Sequence, residues 1–436
     1  MGLRLPARGH RPHGGGLAVT DVPAAPNPLR AYGAVTAAYW AFMLTDGALR
    51  MLVLLHFNSL GFTPIQLAWL FLLYEVAGIV TNLYAGWLAA RFGLASTLYA
   101  GLGLQIGALA ALSALDPGWG VAASVAFVMS VQGVSGVAKD LAKMSSKSAV
   151  KLLAPDGEGT LFRWVAGLTG SKNAVKGLGF FLGAALLALA GFEAAVWGMA
   201  GVLLAILIAV VLFLPEGLPA KDKGARFAGW RSPDPRVNRL SLARMFLFGA
   251  RDVWFVVGVP VYFQAVLSDG TPEGRRWAFF IIGGFLALWI IGYGAVQAMA
   301  PRILRARGLP GREVVDRAIC WAGLLVPIPF ALAALVWLAG EPSAGLTAAL
   351  IGGLLLFGVV FAVNSSVHSY LILAFGEAHR ITRDVGFYYM ANAAGRLVGT
   401  LLSGLSYQAG GLVLCLATAG AMAGLSWLAA LRVRSA

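Results

Sequence analysis

What most constrains this chain is that apolar runs long enough to cross a bilayer, about 20 residues each, recur along nearly its whole length. They fall near residues 31–57, 65–90, 93–115, 119–142, 162–190, 193–214, 240–267, 277–300, 317–339, 345–374, 384–408 and 411–431. Backbone polar groups inside hydrocarbon must be satisfied within their own segment, so each run is predicted to be a helix. Composition agrees. Of 436 residues 59% are hydrophobic and 12% charged, whereas a soluble domain has roughly 45–50% and 25%. The expected fold class is therefore an all-α membrane protein with twelve transmembrane helices.

The formal net charge of +14 could point to nucleic acid, but its distribution points to topology. Arg and Lys fall in alternate loops: Arg91; Lys147, Lys151 and Arg163; six between Lys221 and Arg239; Arg302, Arg305, Arg307 and Arg312; Arg380 and Arg383. Only Arg275 and Arg276 break the alternation. The positive-inside rule then puts both termini in the cytosol and the protein, multi-pass, in the cytoplasmic (inner) membrane. The first 28 residues hold Pro, Gly and Arg without an apolar core, and are expected to be a disordered cytosolic tail. Cys320 and Cys415 lie in apolar runs with no Cys or His cluster beside them, so no metal, cofactor or disulfide is expected.

The Pro-rich segment Pro215–Pro235 is the one long polar interruption. It divides the chain into a six-helix bundle over 29–214, a cytosolic linker over 215–238 and a second bundle over 239–436. The halves resemble each other. A shift of 220 lays Arg163 on Arg383, Lys176 on Arg396, Gly179 on Gly399 and Gly191 on Gly411; a shift of 206 lays Asp46 on Asp252; a shift of 214 lays Gly78 on Gly292 and Arg91 on Arg305. Two six-helix repeats imply a transporter whose site lies between them near the midplane.

Cations stand where they are expensive. Lys139, Lys143, Lys147 and Lys151 recur every fourth residue, and Lys172 and Lys176 repeat the spacing on the next helix. Counted inward from the nearest interfacial charge at 1.5 Å per residue, Lys139, Lys176, Arg251 and Arg396 all reach about 18–20 Å, near the middle of a core about 30 Å thick. An ammonium at that depth costs roughly 3–10 kcal/mol, so several together imply a water-filled cavity and an anionic visitor. Lys139, Lys143, Lys172, Lys176, Arg251 and Arg396 are the candidate substrate-binding residues. Lys147 and Lys151 are assigned to the entrance, where they also serve topology.

The deep acids are fewer: Asp46, Glu75, Asp140 and Asp252. Asp46 and Arg50, one turn apart, are expected to pair within their helix. All five are candidates for salt bridges or proton coupling, since a desolvated carboxylate can titrate near neutral pH. Asn82, Asn364, His368, Tyr388, Tyr389 and Asn392 could line the path or bridge helices.

Gly86-Trp87-Leu88-Ala89-Ala90-Arg91-Phe92-Gly93 resembles the G-x-L-x-D-[RK]-x-G loop of the major facilitator superfamily, departing at the acidic position, where Ala90 stands. Four segments resemble the narrower ArsJ-type organoarsenical efflux permeases: 39–57 (YWAFMLTDGALRMLVLLHF), 138–151 (AKDLAKMSSKSAVK), 168–183 (LTGSKNAVKGLGFFLG) and 246–256 (FLFGARDVWFV). That resemblance implies the major facilitator fold, alternating access and export of 1-arseno-3-phosphoglycerate. It also implies a functional partner, the glyceraldehyde-3-phosphate dehydrogenase that makes this substrate from arsenate. A small multivalent oxyanion suits Lys and Arg donors rather than the thiolates that hold trivalent arsenic. The expected partners are thus a small anion and membrane lipids, with no nucleic acid, and the chain is expected to act as a monomer. The alternative of the same class is a carrier of another organophosphate or of phosphate, such as a sugar-phosphate antiporter. The remote alternative is a membrane enzyme acting on lipid phosphates, which would need a carboxylate cluster that the sequence does not supply.

Overall fold

The computed structural model describes residues 28–153, 160–213, 232–304, 311–375 and 381–434. The N-terminal tail and most of the central linker lie outside them. The side chains of Lys147, Lys151 and Arg163 do too.

The first half contains α1 (Pro28–Ser59), α2 (Pro64–Leu70), α3 (Leu72–Phe92), α4 (Leu94–Leu112), α5 (Val121–Leu153), α6 (Thr160–Ala190) and α7 (Phe192–Phe213). The second contains α8 (Pro235–Val253), a π-helical turn (Trp254–Gly258), α9 (Val259–Leu267), α10 (Pro272–Ile303), α11 (Gly311–Leu325), α12 (Pro327–Ala339), α13 (Ala344–Phe375) and α14 (Ile381–Arg434). Several predicted spans are interrupted. Span 2 is α2 plus α3, broken at Phe71; span 9 is α11 plus α12, broken before Pro327, which lacks the N–H a continuing helix would use. Span 7 starts at Pro235, inside the stretch assigned to the linker, because Asp234 accepts the Arg236 N–H at 2.8 Å and so caps the helix.

Among the described residues, eleven helical stretches are long and apolar enough to span. The last runs for 51 residues, Asp384–Arg434, more than twice the roughly 20 residues a bilayer core needs. It is two spans, because Gly410 and Gly411 leave helical geometry between them, Gly411 at φ 58°. Gly191, 220 residues earlier, turns the chain between α6 and α7 at φ 82°. The repeat thus places a left-handed glycine at the same corner of both halves.

Close packing brings the interior charges together. A Cβ on Gly47 would sit 2.6 Å from the Lys176 carbonyl oxygen, and one on Gly179 or Gly183 would strike the backbone of Leu44 or Ala48, so α1 and α6 touch backbone to backbone. In the second half Gly395 meets Met245, and a Cβ on Gly399 would be 2.7 Å from the Gly249 oxygen, so α8 meets α14 in the same way. Small residues at such crossings replace the hydrophobic drive that lipid removes.

Candidate functional site

Each half holds an acid on its first span, and a cation on its fifth meets it. Lys176 Nζ donates to Asp46 Oδ2 at 2.8 Å. Arg396 Nε donates to Asp252 Oδ2 at 3.3 Å. The pairs sit where the close α1–α6 and α8–α14 crossings put them, so the glycines that bring the helices together also bring acid to cation.

A network grows from these pairs. The Tyr74 hydroxyl donates to Asp46 Oδ1 at 2.6 Å, and Arg251 holds Asp252 Oδ1. Arg396 Nη2 reaches across to the first half and donates to Glu75 Oε1 at 2.6 Å, the oxygen that also accepts Arg50 Nη2 at 2.9 Å. Arg50 therefore pairs with Glu75 on α3 rather than with Asp46 on its own helix, which corrects the expectation drawn from their one-turn spacing. Its guanidinium lies 5.1 Å from the Phe71 ring and 5.2 Å from the Tyr74 ring. Toward the end that holds the termini, Lys143 Nζ donates to Asp140 Oδ1 and Asn82 Oδ1, both at 2.6 Å, and the Thr81 hydroxyl donates to Asp140 Oδ2.

Lys139 differs from the other cations. Its ammonium lies 4.1 Å over the Tyr74 ring, and among the described residues it forms no ion pair or hydrogen bond, although the residue is only 8% exposed. A Cβ on Gly78 would lie 3.8 Å from Lys139 Nζ, from Asp140 Oδ2 and from the Ala393 Cβ, so this corner also faces the second half. Lys172 lies one turn before Lys176 and is partly buried.

Burial divides the charges into two shells. The side chains of Asp46, Glu75, Asp140 and Asp252 are at most 1% exposed, whereas those of Arg50, Lys143, Lys176, Arg251 and Arg396 keep 10–19%. The acids stand behind and the cations in front. With Lys139 the group has six cations against four acids, so formal charge remains that a low-dielectric interior does not tolerate without a counter-ion.

One deep cation was missed in the sequence. Arg244 on α8 is 5% exposed, and Asn392, Ser365, Phe248 and Tyr388 surround it. Five residues from Arg239, it reads as one more charge of the basic linker. Asn364 takes a bridging role, donating to the Trp321 oxygen on α11 at 2.8 Å. Cys415 is buried against the Val253 oxygen and Cys320 is exposed on α11, both away from the charges.

At the end opposite Pro28 and Arg434 direct contacts hold the two halves closed. Asn58 Nδ2 donates to Gln264 Oε1 at 2.7 Å, a contact between repeat-related positions 206 residues apart. Gly404 packs on the Pro64 oxygen, and the Ile65 N–H donates to Gln408 Oε1 at 3.2 Å.

Solved structures share this architecture from end to end. The nucleoside transporter NupG superposes with a TM-score of 0.67 at 14% identity over 94% of this chain and 99% of its own. A bacterial homologue of the iron transporter ferroportin, in an inward-facing state, gives 0.65 at 14% over 94% and 99%. The human organic anion transporter MFSD10 gives 0.60 at 18% over 93% and 100%. The fold is the one these three proteins share. No family model and no curated protein sequence matches the chain. Within this shared fold the two halves meet along α6–α10 and α3–α14. The fold leaves the cargo to the side chains between them.

Proposed function

We propose that the chain is a secondary transporter that exports a small multivalent oxyanion, 1-arseno-3-phosphoglycerate, by alternating access. The observation that carries this reading is the clustering of six cations around four buried acids, five of the cations keeping 10–19% of their side chains exposed. Guanidinium and ammonium groups recognise phosphate and arsenate oxygens through charge-assisted hydrogen bonds. The anion would enter from the end that holds the termini, past Lys147 and Lys151. It would then displace Glu75 from Arg396 and Arg50 while Lys139, Lys143, Lys172, Lys176 and Arg251 gather around it. Glu75 and Arg396 belong to different halves, so breaking their pair loosens one half from the other and lets the closed end rock open.

Export of an anion from a negative interior gains about 2.3 kcal/mol per charge per 100 mV, so no proton need be exchanged. The acids then act as internal counter-ions while the site is empty. Cells expressing the chain are expected to gain arsenate resistance only when the arsenate-using dehydrogenase is present. Resistance without it would overturn the choice of cargo. A second reading, a carrier of another organophosphate, rests on the same cluster, because its guanidinium and ammonium donors suit a phosphate as well as an arsenate. It predicts phosphoglycerate uptake into everted vesicles that is indifferent to arsenate.

A further inference from the structure

Arg244 is the described cation whose burial the central network does not explain. Its Nη1 donates to the Ser365 carbonyl oxygen at 2.9 Å and to the Ser365 hydroxyl at 3.0 Å, and its Nε donates to Asn392 Oδ1 at 3.2 Å. Nη2 has no hydrogen-bond partner among the described residues. The guanidinium carbon lies 4.1 Å from the Phe248 ring and 5.0 Å from the Tyr388 ring. Tyr293 and Gln297 converge on the same Ser365 hydroxyl, each at 3.1 Å. Every partner is neutral. Among the described residues no carboxylate pairs with this 5% exposed arginine, whereas Arg50, Arg251 and Arg396 each have one.

His368 adds an independent sign. It lies one turn beyond Ser365 on α13, within electrostatic reach of Arg244, and is 1% exposed. Neither ring nitrogen has a hydrogen-bond partner among the described residues. Buried polar atoms are rarely left so, and an imidazole N–H within reach of a guanidinium that has no carboxylate gives an anion a second donor.

Arg244 precedes Arg251 by seven residues, about 10 Å along the helix toward the termini. Asn392, which Arg244 grips, precedes Arg396 by one turn on α14. The two arginine groups thus share the same pair of helices at different depths. We infer that Arg244, with His368 and Asn392, forms a second oxyanion subsite, which takes the other charged end of a substrate whose first end is held by Arg396, Arg251 and Lys139. This rests on the anion-carrier reading and deepens it: the preferred cargo is a short carbon chain with an anionic group at each end, and Arg244 sets that preference.

The test uses the full chain in lipid nanodiscs and two probes of one skeleton, 3-phosphoglycerate with two anionic ends and glycerol 3-phosphate with one. The wild type is expected to bind the first about tenfold or more tightly, the worth of one charge-assisted contact. Arg244→Gln should erase that preference while leaving glycerol 3-phosphate within about twofold, a margin smaller than one such contact. Arg244→Lys should restore part of it. His368→Phe, which leaves the guanidinium and its neutral cage in place, should lower the preference in the same direction and keeps the test open if Arg244→Gln does not fold. Equal weakening of both probes, or no change, would overturn the subsite while leaving the carrier reading intact. Binding of neither probe by the wild type would bring down both.

Discussion

The Lys176–Asp46 and Arg396–Asp252 pairs occupy the same place in the two halves, yet they do different work. Lys176 has one described carboxylate, and that acid is further held by Tyr74 of the same half. Arg396 has two, Asp252 in its own half and Glu75 in the other. An ammonium is a point charge that one acid can satisfy, whereas a guanidinium fork can serve two partners at once. The repeat fixes where the pair stands, and the choice of Lys or Arg decides whether it stays inside its half or joins the two.

Substitutions can break this contrast. Arg396→Gln removes both the anion donor and the tie between the halves, and is expected to lower vesicle transport by about 100-fold or more, as truncating a buried charge pair does. Lys176→Gln should lower it less, about tenfold, because it breaks one pair inside its own half and leaves the tie between the halves in place. Equal losses in protein of equal abundance would mean that the two halves are not specialised. Glu75→Gln should act oppositely on binding: with Arg396 and Arg50 freed from their shared acid, the anion is held about tenfold more tightly and released more slowly. KM and the maximal rate should then fall together.

Packing supplies the next test. Gly179→Val and Gly399→Val should each reduce folded protein sharply, because a side chain at either position meets the backbone of the crossing helix. Detergent-resistant protein measured by size-exclusion fluorescence should fall for both, and tolerance of either would contradict the close crossing in that half. The smallest effect is expected at the closed end. Asn58→Ala should remove about 1 kcal/mol from closure and modestly raise labelling of a cysteine introduced nearby. Gln264→Ala should do the same, since the two are one bond.

Much of this contrast could be read in the sequence. The 220-residue shift already paired Lys176 with Arg396 and Gly179 with Gly399, and helical rise alone put four cations at one depth; Lys176, Arg251 and Arg396 pair with carboxylates, while Lys139 lies over the Tyr74 ring. The partnerships were not legible. One-turn spacing pointed Asp46 at Arg50, but that rule assumes an exposed helix face, and here Lys176 of α6 and Tyr74 take Asp46 while Glu75 takes Arg50. Arg244 was hidden by the basic run before it, since a cation a turn and a half from a loop looks the same whether it snorkels outward or points inward. The π-helical turn left only Pro260 as a signal; its missing N–H frees the chain to slip one residue there, and the Ser403 hydroxyl accepts the N–H groups of Val257 and Gly258 at 3.2 and 3.1 Å.

The central claim is that the shared arginine between the halves carries a multivalent oxyanion outward. Everted vesicles bearing the chain, supplied with labelled glyceraldehyde 3-phosphate, the dehydrogenase, NAD and arsenate, test it directly. Accumulation of label that requires arsenate and disappears in Arg396→Gln vesicles is the expected result. Accumulation that persists undiminished in Arg396→Gln vesicles, or no arsenate-dependent accumulation in the wild type, would contradict it.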